Sequence, residues 1–118
     1  MTLTDAEWSV MEVLWGGEQF ALGEIAEPLA VRNGWNKKTT LTYLTRMEAK
    51  GLVSIARGTA KPYAAQMSRD DCARQERKRL LRAYGGAAGD LIAAFLKEAP
   101  ISRTEADRLR TLLDEMEV

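Results

Sequence analysis

Apolar residues recur at helical spacing through three stretches near the N-terminus, give way to two short extended runs, and return to helical spacing for the remainder of the chain. Thr4-Asp5-Ala6-Glu7 has the form of a capping box, in which the Thr4 hydroxyl and the Glu7 carboxylate each take a backbone N–H that the first turn leaves unpaired. Behind it Trp8, Met11, Leu14 and Trp15 share one face, a spacing that favours core packing over a ligand box, and Gly16-Gly17 stops the helix. A second helix is predicted over about Leu22 to Val31, burying Leu22, Ile25, Ala26 and Leu29. Pro28 lies beyond its first turn and cannot donate to the ladder, so a kink or an early end is expected there. Gly34 supplies a turn, and Asn36, a good N-cap, opens a third helix from Lys37 to about Lys50 with apolar positions at Leu41, Leu44 and Met47. Gly51 follows as a C-terminal cap.

Leu52 to Arg57 and Pro62 to Met67 read as two strands around the turn Gly58-Thr59-Ala60-Lys61. Ser68 then caps a basic helix running to about Tyr84, and Gly85-Gly86 breaks it. A further helix over about Ala87 to Lys97 shows Leu91, Ile92, Phe95 and Leu96, and Pro100 ends the segment. Ser102-Arg103-Thr104-Glu105 is another capping box, and the last helix is expected to bury Ala106, Leu109, Leu112, Leu113 and Met116. The predicted fold is therefore mainly α: a winged helix-turn-helix domain with a two-stranded wing over residues 1–67, then a helical dimerisation domain over residues 68–118. Some fifty residues of helix without a sheet rarely bury enough apolar area alone, which points to a second copy covering the stripes. Packing of these helices onto the N-terminal domain is the competing arrangement.

Length and composition leave this picture in place: 118 residues suffice for one average domain or two small ones, and 46% hydrophobic with 29% charged residues describe a folding, soluble chain. No apolar run approaches the ~18 residues of a membrane span, and Met1 to Trp8 carry neither the basic start nor the apolar core of a signal peptide. A cytoplasmic location and no membrane partner are expected. Histidine is absent, so a Ser-His-Asp or Cys-His nucleophile cannot be built, and Cys72 is the only thiol, too few ligands for structural zinc. Neither a GxxxxGK[ST] nor a GxGxxG loop is present. An enzyme, a cofactor and a metal site are not expected.

Charge changes the picture more. The formal net charge is zero, yet residues 1–31 hold six acids and no base, while residues 32–61 hold seven bases against Glu48 alone. Such a block is the electrostatic footprint of a DNA-facing surface, although charge runs also mark solvated faces. The order of two helices, a tight turn, a polar and basic third helix and a hairpin describes a winged helix, whose third helix enters the major groove. Lys37, Lys38, Thr39, Thr42, Tyr43 and Arg46 are the candidate contacts on that helix: Arg46 to a guanine edge, threonine methyls to thymine methyls, and the lysines to phosphate. Arg57 and Lys61 flank the hairpin tip, where a wing meets the backbone or minor groove.

Leu3 to Trp8, Met11, Leu14-Trp15 and Glu24-Ile25-Ala26, then Trp35, Thr39, Leu41-Thr42, Leu44, Arg46, Lys50-Gly51 and Tyr63, resemble the pattern of penicillinase repressors of the BlaI/MecI type. The likeness continues through Gly85-Gly86, Leu91, Phe95 and the Leu109-Leu112-Leu113 ending, nearly the whole chain. That resemblance implies a homodimeric transcriptional repressor that holds double-stranded operator DNA, with TACA- and TGTA-like half-sites about one helical turn, ~34 Å, apart. It implies a dimer formed through the C-terminal helices, with Leu91, Ile92, Phe95, Leu109, Leu112 and Leu113 as candidates. It also implies release by a sensor-linked protease, the matching bond being Ala94-Phe95, where alanine stands in place of the family's usual asparagine.

The chain departs from the family in carrying Ala21 instead of a hydroxyl cap, Pro28 inside the second helix, and Thr40 where valine or isoleucine is usual. It lacks the C-terminal cysteine cluster of the copper-responsive branch. Cys72, near a helix start with Arg69 and Arg74 close by, reads either as a redox switch or as a packing residue. Two other functions compete: a ligand-responsive regulator whose pocket is lined by Trp8, Trp15 and Trp35, and a winged-helix module that grips a protein.

Overall fold

The computed structural model describes residues 2–116; Met1, Glu117 and Val118, at the outer ends of the two expected domains, lie outside the described residues. The described chain forms six helices and a two-stranded antiparallel sheet, in the order helix, helix, helix, hairpin, helix, helix, helix. It divides into a compact unit ending at Lys78 and a second beginning at Arg79.

Helix α1 (Asp5–Leu14) starts on the expected capping box. The Glu7 N–H donates to Thr4 Oγ1 at 3.2 Å, and the Thr4 N–H donates to Glu7 Oε1 at 2.9 Å. Helix α2 (Leu22–Asn33) follows Ala21, which has no side-chain acceptor, so only half of a box forms: the Ala21 N–H donates to Glu24 Oε1 at 2.9 Å. The early end expected at Pro28 does not occur, because the helix continues to Asn33. Ile25 and Leu29, on either side of the proline, are both fully buried. Their packing outweighs a lost backbone bond and a ring clash that together cost ~3 kcal/mol in a free helix.

Helix α3 (Lys37–Ala49) is bounded at both ends by groups the sequence supplies. At its start the Thr39 N–H donates to Asn36 Oδ1 at 2.8 Å. At its end Gly51 takes φ +77°, allowing its N–H to reach Glu48 O and the Leu52 N–H to reach Met47 O, both at 3.0 Å. This is a Schellman closure, and Leu52 and Met47, the apolar pair that accompanies it, are both buried. Strands β1 (Val53–Ile55) and β2 (Tyr63–Ala65) pair with Ile55 opposite Tyr63, and each is shorter than its apolar run predicts. Phe20 adds a pairing the periodicity did not reveal: its N–H and C=O exchange bonds with Tyr63 at 2.8 and 3.0 Å. One backbone bridge thus anchors the hairpin to the segment before α2.

The core of the first unit joins Val10, Met11 and Leu14 of α1, Ile25 and Leu29 of α2, Leu44 and Met47 of α3, Val53 and Tyr63 of the hairpin, and Cys72. Trp8 and Trp15 pack against it only partly buried, edge to face at 5.5 Å. The Trp15 indole N–H donates to Met67 O at 2.9 Å, and the Arg69 guanidinium sits 4.7 Å from the centre of its ring. Helix α4 (Arg69–Ala83) starts here and contributes Cys72 to the core.

In the second unit α5 (Ala88–Glu98) and α6 (Arg103–Glu115) contain no buried residue. The expectation that α6 buries its apolar stripe is therefore not met within one chain. Ala106 and Leu109 are half-buried, while Leu112 and Leu113 are 56% and 59% exposed and Met116 is exposed as well.

Two polar groups in the core of the first unit carry measurable consequences. Glu7 is 3% exposed, and besides its cap its Oε2 accepts from Lys50 Nζ at 2.7 Å, tying the start of α1 to the end of α3. Burial acts to raise the Glu7 pKa, but the bonds from Lys50 and Thr4 and the Lys50 charge together outweigh it and hold the carboxyl below its ordinary value. Stability from this group is thus complete above the ordinary glutamate pKa, ~4.3, and is lost as pH falls through the lowered folded value. Lys50→Ala is expected to cost about 1.5–3 kcal/mol at pH 7, the range for a hydrogen bond to a charged group, and urea denaturation should show the gap from wild type closing below pH ~4. The second group is the Thr40 hydroxyl, fully buried and without a hydrogen-bond partner. Thr40→Val removes an unpaired polar atom at nearly constant shape, so the urea midpoint should rise by the equivalent of about 1 kcal/mol with an unchanged m value.

Candidate nucleic-acid interface

Helix α3 presents two opposite faces. Thr40, Leu44 and Met47 point inward and are fully buried, at spacings of four and three that keep them on one side. On the other side Lys38, Leu41, Thr42, Thr45, Arg46 and Ala49 are exposed, with Lys37 exposed at the first turn. This outward face is polar, basic and narrow enough for a groove that admits one helix. No acid lies in its first turn, so the positive end of the helix dipole and two lysines reinforce one another. The Thr42 and Thr45 hydroxyls donate to Lys38 O and Leu41 O, both at 3.0 Å. Their donors are therefore taken up by the helix itself, and a partner meets methyl groups and oxygen lone pairs.

Among the candidate residues on α3, Lys37, Lys38, Thr42 and Arg46 are exposed together, whereas Thr39 and Tyr43 are half-buried on the flank. The Tyr43 ring stacks on Trp35 at 4.5 Å and 3°, bracing the turn that delivers the chain into α3. Leu41, assigned to the core from its spacing, is instead 41% exposed, and Thr40 takes the inward place. Steps of three residues drift around a helix of 3.6 per turn, so Leu41, Leu44 and Met47 do not stay on one side, whereas 40, 44 and 47 do. Leu41 is thus the outward residue that its type concealed, and Thr45, on the polar side of α3 by its spacing, joins it as a further candidate contact. Counting about 100° per residue from the centre of the buried stripe of Thr40, Leu44 and Met47 places both outside it.

The wing cations have partners of their own. Arg57 Nη1 and Nη2 donate to Glu48 Oε2 and Oε1 at 2.9 and 2.8 Å, and Lys61 Nζ lies 3.4 Å from Glu24 Oε2. The Arg57 bond and charge hold the Glu48 carboxyl below its ordinary pKa, and Glu48 in turn raises that of Arg57. For Glu24 the backbone bond from Ala21 and then the charge of Lys61 outweigh its partial desolvation and lower its pKa. By contrast Lys37, Lys38 and Arg46 form no ion pair with any acid among the described residues.

The remaining candidates lie elsewhere. On α5 Leu91 and Ala94 are half-buried, while Ile92 and Phe95 are exposed, Phe95 by 52%; on α6 Leu109 is half-buried and Leu112 and Leu113 are exposed. The Ala94-Phe95 bond falls inside α5, away from either end. Cys72 is fully buried, and burial with the Asp71 charge pushes its thiol pKa up, the setting of a packing residue and the opposite of an activated thiolate. The tryptophans do not gather around a common site: Trp8 meets Trp15, and Trp35 meets Tyr43. Among the described residues no cluster of three or more acids or Cys could hold a metal ion, and no helix is long and apolar enough to cross a membrane.

Comparison with known proteins agrees with this geometry. The penicillinase repressor family model matches residues 3–115. The methicillin resistance regulatory protein MecI of Mammaliicoccus sciuri is 25% identical over 114 residues, covering 95% of this chain and 93% of that protein. The penicillinase repressor of Bacillus licheniformis is 27% identical over 115 residues, covering 96% and 90%. Among solved structures, the solution structure of monomeric Bacillus licheniformis BlaI in complex with the blaP half-operator matches with a TM-score of 0.52 and 28% identity, over 60% of this chain and 88% of that one. These relatives are regulatory proteins and not enzymes, the solved one shares the fold over the part of this chain that it covers, and the chain belongs to the penicillinase repressor family.

Proposed function

We propose that this protein is a homodimeric, sequence-specific DNA-binding repressor. The observation that carries the reading is the outward face of α3, where Lys38, Leu41, Thr42, Thr45 and Arg46 stand exposed while Thr40, Leu44 and Met47 fix the helix from behind. Its solved relative is described in complex with a half-operator, which supports the same use of this face. In this reading Arg46 forks onto a guanine edge, Leu41 and the threonine methyls touch thymine methyls, Lys37 and Lys38 hold phosphate, and Thr39 and Tyr43 flank the groove. Repression needs no chemistry, since a bound dimer excludes polymerase, and the protein works in the cytoplasm where its operator is.

Dimerisation is assigned to residues 68–118. Helices α5 and α6 have no buried residue within one chain, and Leu91, Ile92, Phe95, Leu109, Leu112 and Leu113 form the apolar surface a second copy would cover. A two-fold dimer calls for a pseudo-palindromic operator, taken here as paired TACA- and TGTA-like half-sites. Release by a sensor-linked protease at Ala94-Phe95 would divide α5 in two and remove Phe95 from that surface. The bond is helical, so α5 must unwind before it enters a protease cleft. The rival readings lose support: the tryptophans line no shared ligand pocket, and a protein-gripping module would not need unpaired cations on α3.

Fluorescence anisotropy on the palindrome and on a scrambled duplex, at several salt concentrations, tests the reading. Preference for the palindrome with a steep negative salt slope is expected; no binding to either duplex at low salt would overturn it. Arg46→Ala should cost ~1–3 kcal/mol on the operator and little on scrambled DNA. The double change Leu112→Asp and Leu113→Asp should give a monomer by sedimentation, weaken binding to the full operator by ~10²–10⁴, and leave half-operator affinity intact.

A further inference from the structure

Arg57 stands at the base of the wing tip, where a polyanion would attract it, yet the free protein already supplies it with an anion. Both guanidinium branches are engaged by both oxygens of Glu48, at 2.8 and 2.9 Å, the fork-on-fork geometry in which arginine also takes a phosphate. Glu48 is the only acid in α3 and stands at the end of the helix proposed to enter the groove. The pair is open to solvent, with the Arg57 side chain 67% exposed, so a phosphate oxygen can approach but must displace a carboxylate that holds both branches. The neighbouring wing cation repeats the pattern more loosely, Lys61 lying 3.4 Å from Glu24.

We infer that the Glu48 carboxylate is an internal stand-in for DNA phosphate that withholds Arg57 from the duplex and so sets the sequence-independent part of the affinity. The inference rests on the proposed function. Phosphate contacts carry no sequence information, and each one adds ~0.9 to the steepness of the salt dependence. Occupying Arg57 internally removes one such contact from operator and arbitrary DNA alike. Recognition through Arg46 and the threonines is left as it is, and the repressor spends less time on the wrong DNA in absolute terms.

The test measures wild type, Glu48→Gln, Arg57→Ala and the double variant on operator and scrambled duplexes across a salt series, with circular dichroism melts confirming that all four fold. Glu48→Gln should tighten binding to both duplexes by the same factor, roughly fivefold near physiological salt, and steepen the salt slope by ~0.9, the gain of one phosphate contact. Arg57→Ala alone should change binding less than about twofold, since its cation is already occupied. In the Arg57→Ala background, Glu48→Gln should add nothing. Weaker or unchanged binding for Glu48→Gln would overturn the inference, as would a gain that persists without Arg57, which would mark simple repulsion of DNA by Glu48. The wild-type arm separates this from the proposed function: operator preference there with no response to Glu48→Gln rejects the inference alone, whereas no DNA binding by any of the four rejects both.

Discussion

Everything α3 presents outward depends on the burial of its inner stripe. Thr40, Leu44 and Met47 pack among Met11, Leu14, Ile25 and Leu29, all fully buried, so the helix cannot rotate without withdrawing apolar surface into water. Asn36 and the Gly51 closure fix its ends, and the Glu7–Lys50 bond fixes its last turn against the first turn of α1. The exposed face formed by Lys38, Leu41, Thr42, Thr45 and Arg46 gains its constancy from these contacts behind it. Arrangement on a rigid element keeps several side chains in one geometry at once.

The charge pattern acquires a spatial meaning in the fold. The acids of residues 1–31 and the bases of residues 32–61 partly find one another, Glu7 with Lys50 and Glu24 with Lys61, while Glu48 takes Arg57 within the basic block. A basic stretch therefore does not become a uniformly basic surface. Within that basic block, three of the cations without an acid partner among the described residues lie on α3, at Lys37, Lys38 and Arg46. A chain of zero formal net charge can in this way carry a local positive field at one face.

Capping chemistry made most of the element boundaries legible in the sequence. Thr4, Asn36 and Ser102 cap where their residue types require it, and Gly51 closes α3 as its position announces. Side-chain assignments that needed tertiary context were less legible. Pro28 reads as a breaker, but Ile25 and Leu29 hold α2 together across it. Leu41 reads as a core residue by its type yet stands outside, while Thr40 fills the buried place beside Leu44 and Met47. The outward placement of Lys37, Lys38, Thr42 and Arg46 was visible in the spacing; the engagement of Arg57 and Lys61 by Glu48 and Glu24 was not, since those acids meet them only through the turn of the hairpin and the packing of α2.

The bare α5 and α6 faces have a consequence for how such a protein responds to its own abundance. Under the proposed assembly α5 and α6, which have no buried residue in one chain, draw their stability from a second copy, and their folding obeys mass action. Below the dissociation constant of the dimer, the concentration of the assembled form rises as the square of the chain concentration. Operator occupancy then climbs more steeply than the supply of protein, and falls more steeply as it is diluted. A modest loss of chains through growth or turnover would be felt at the promoter as a larger loss of control, a threshold produced by the exposed leucines and Phe95 without any dedicated sensor.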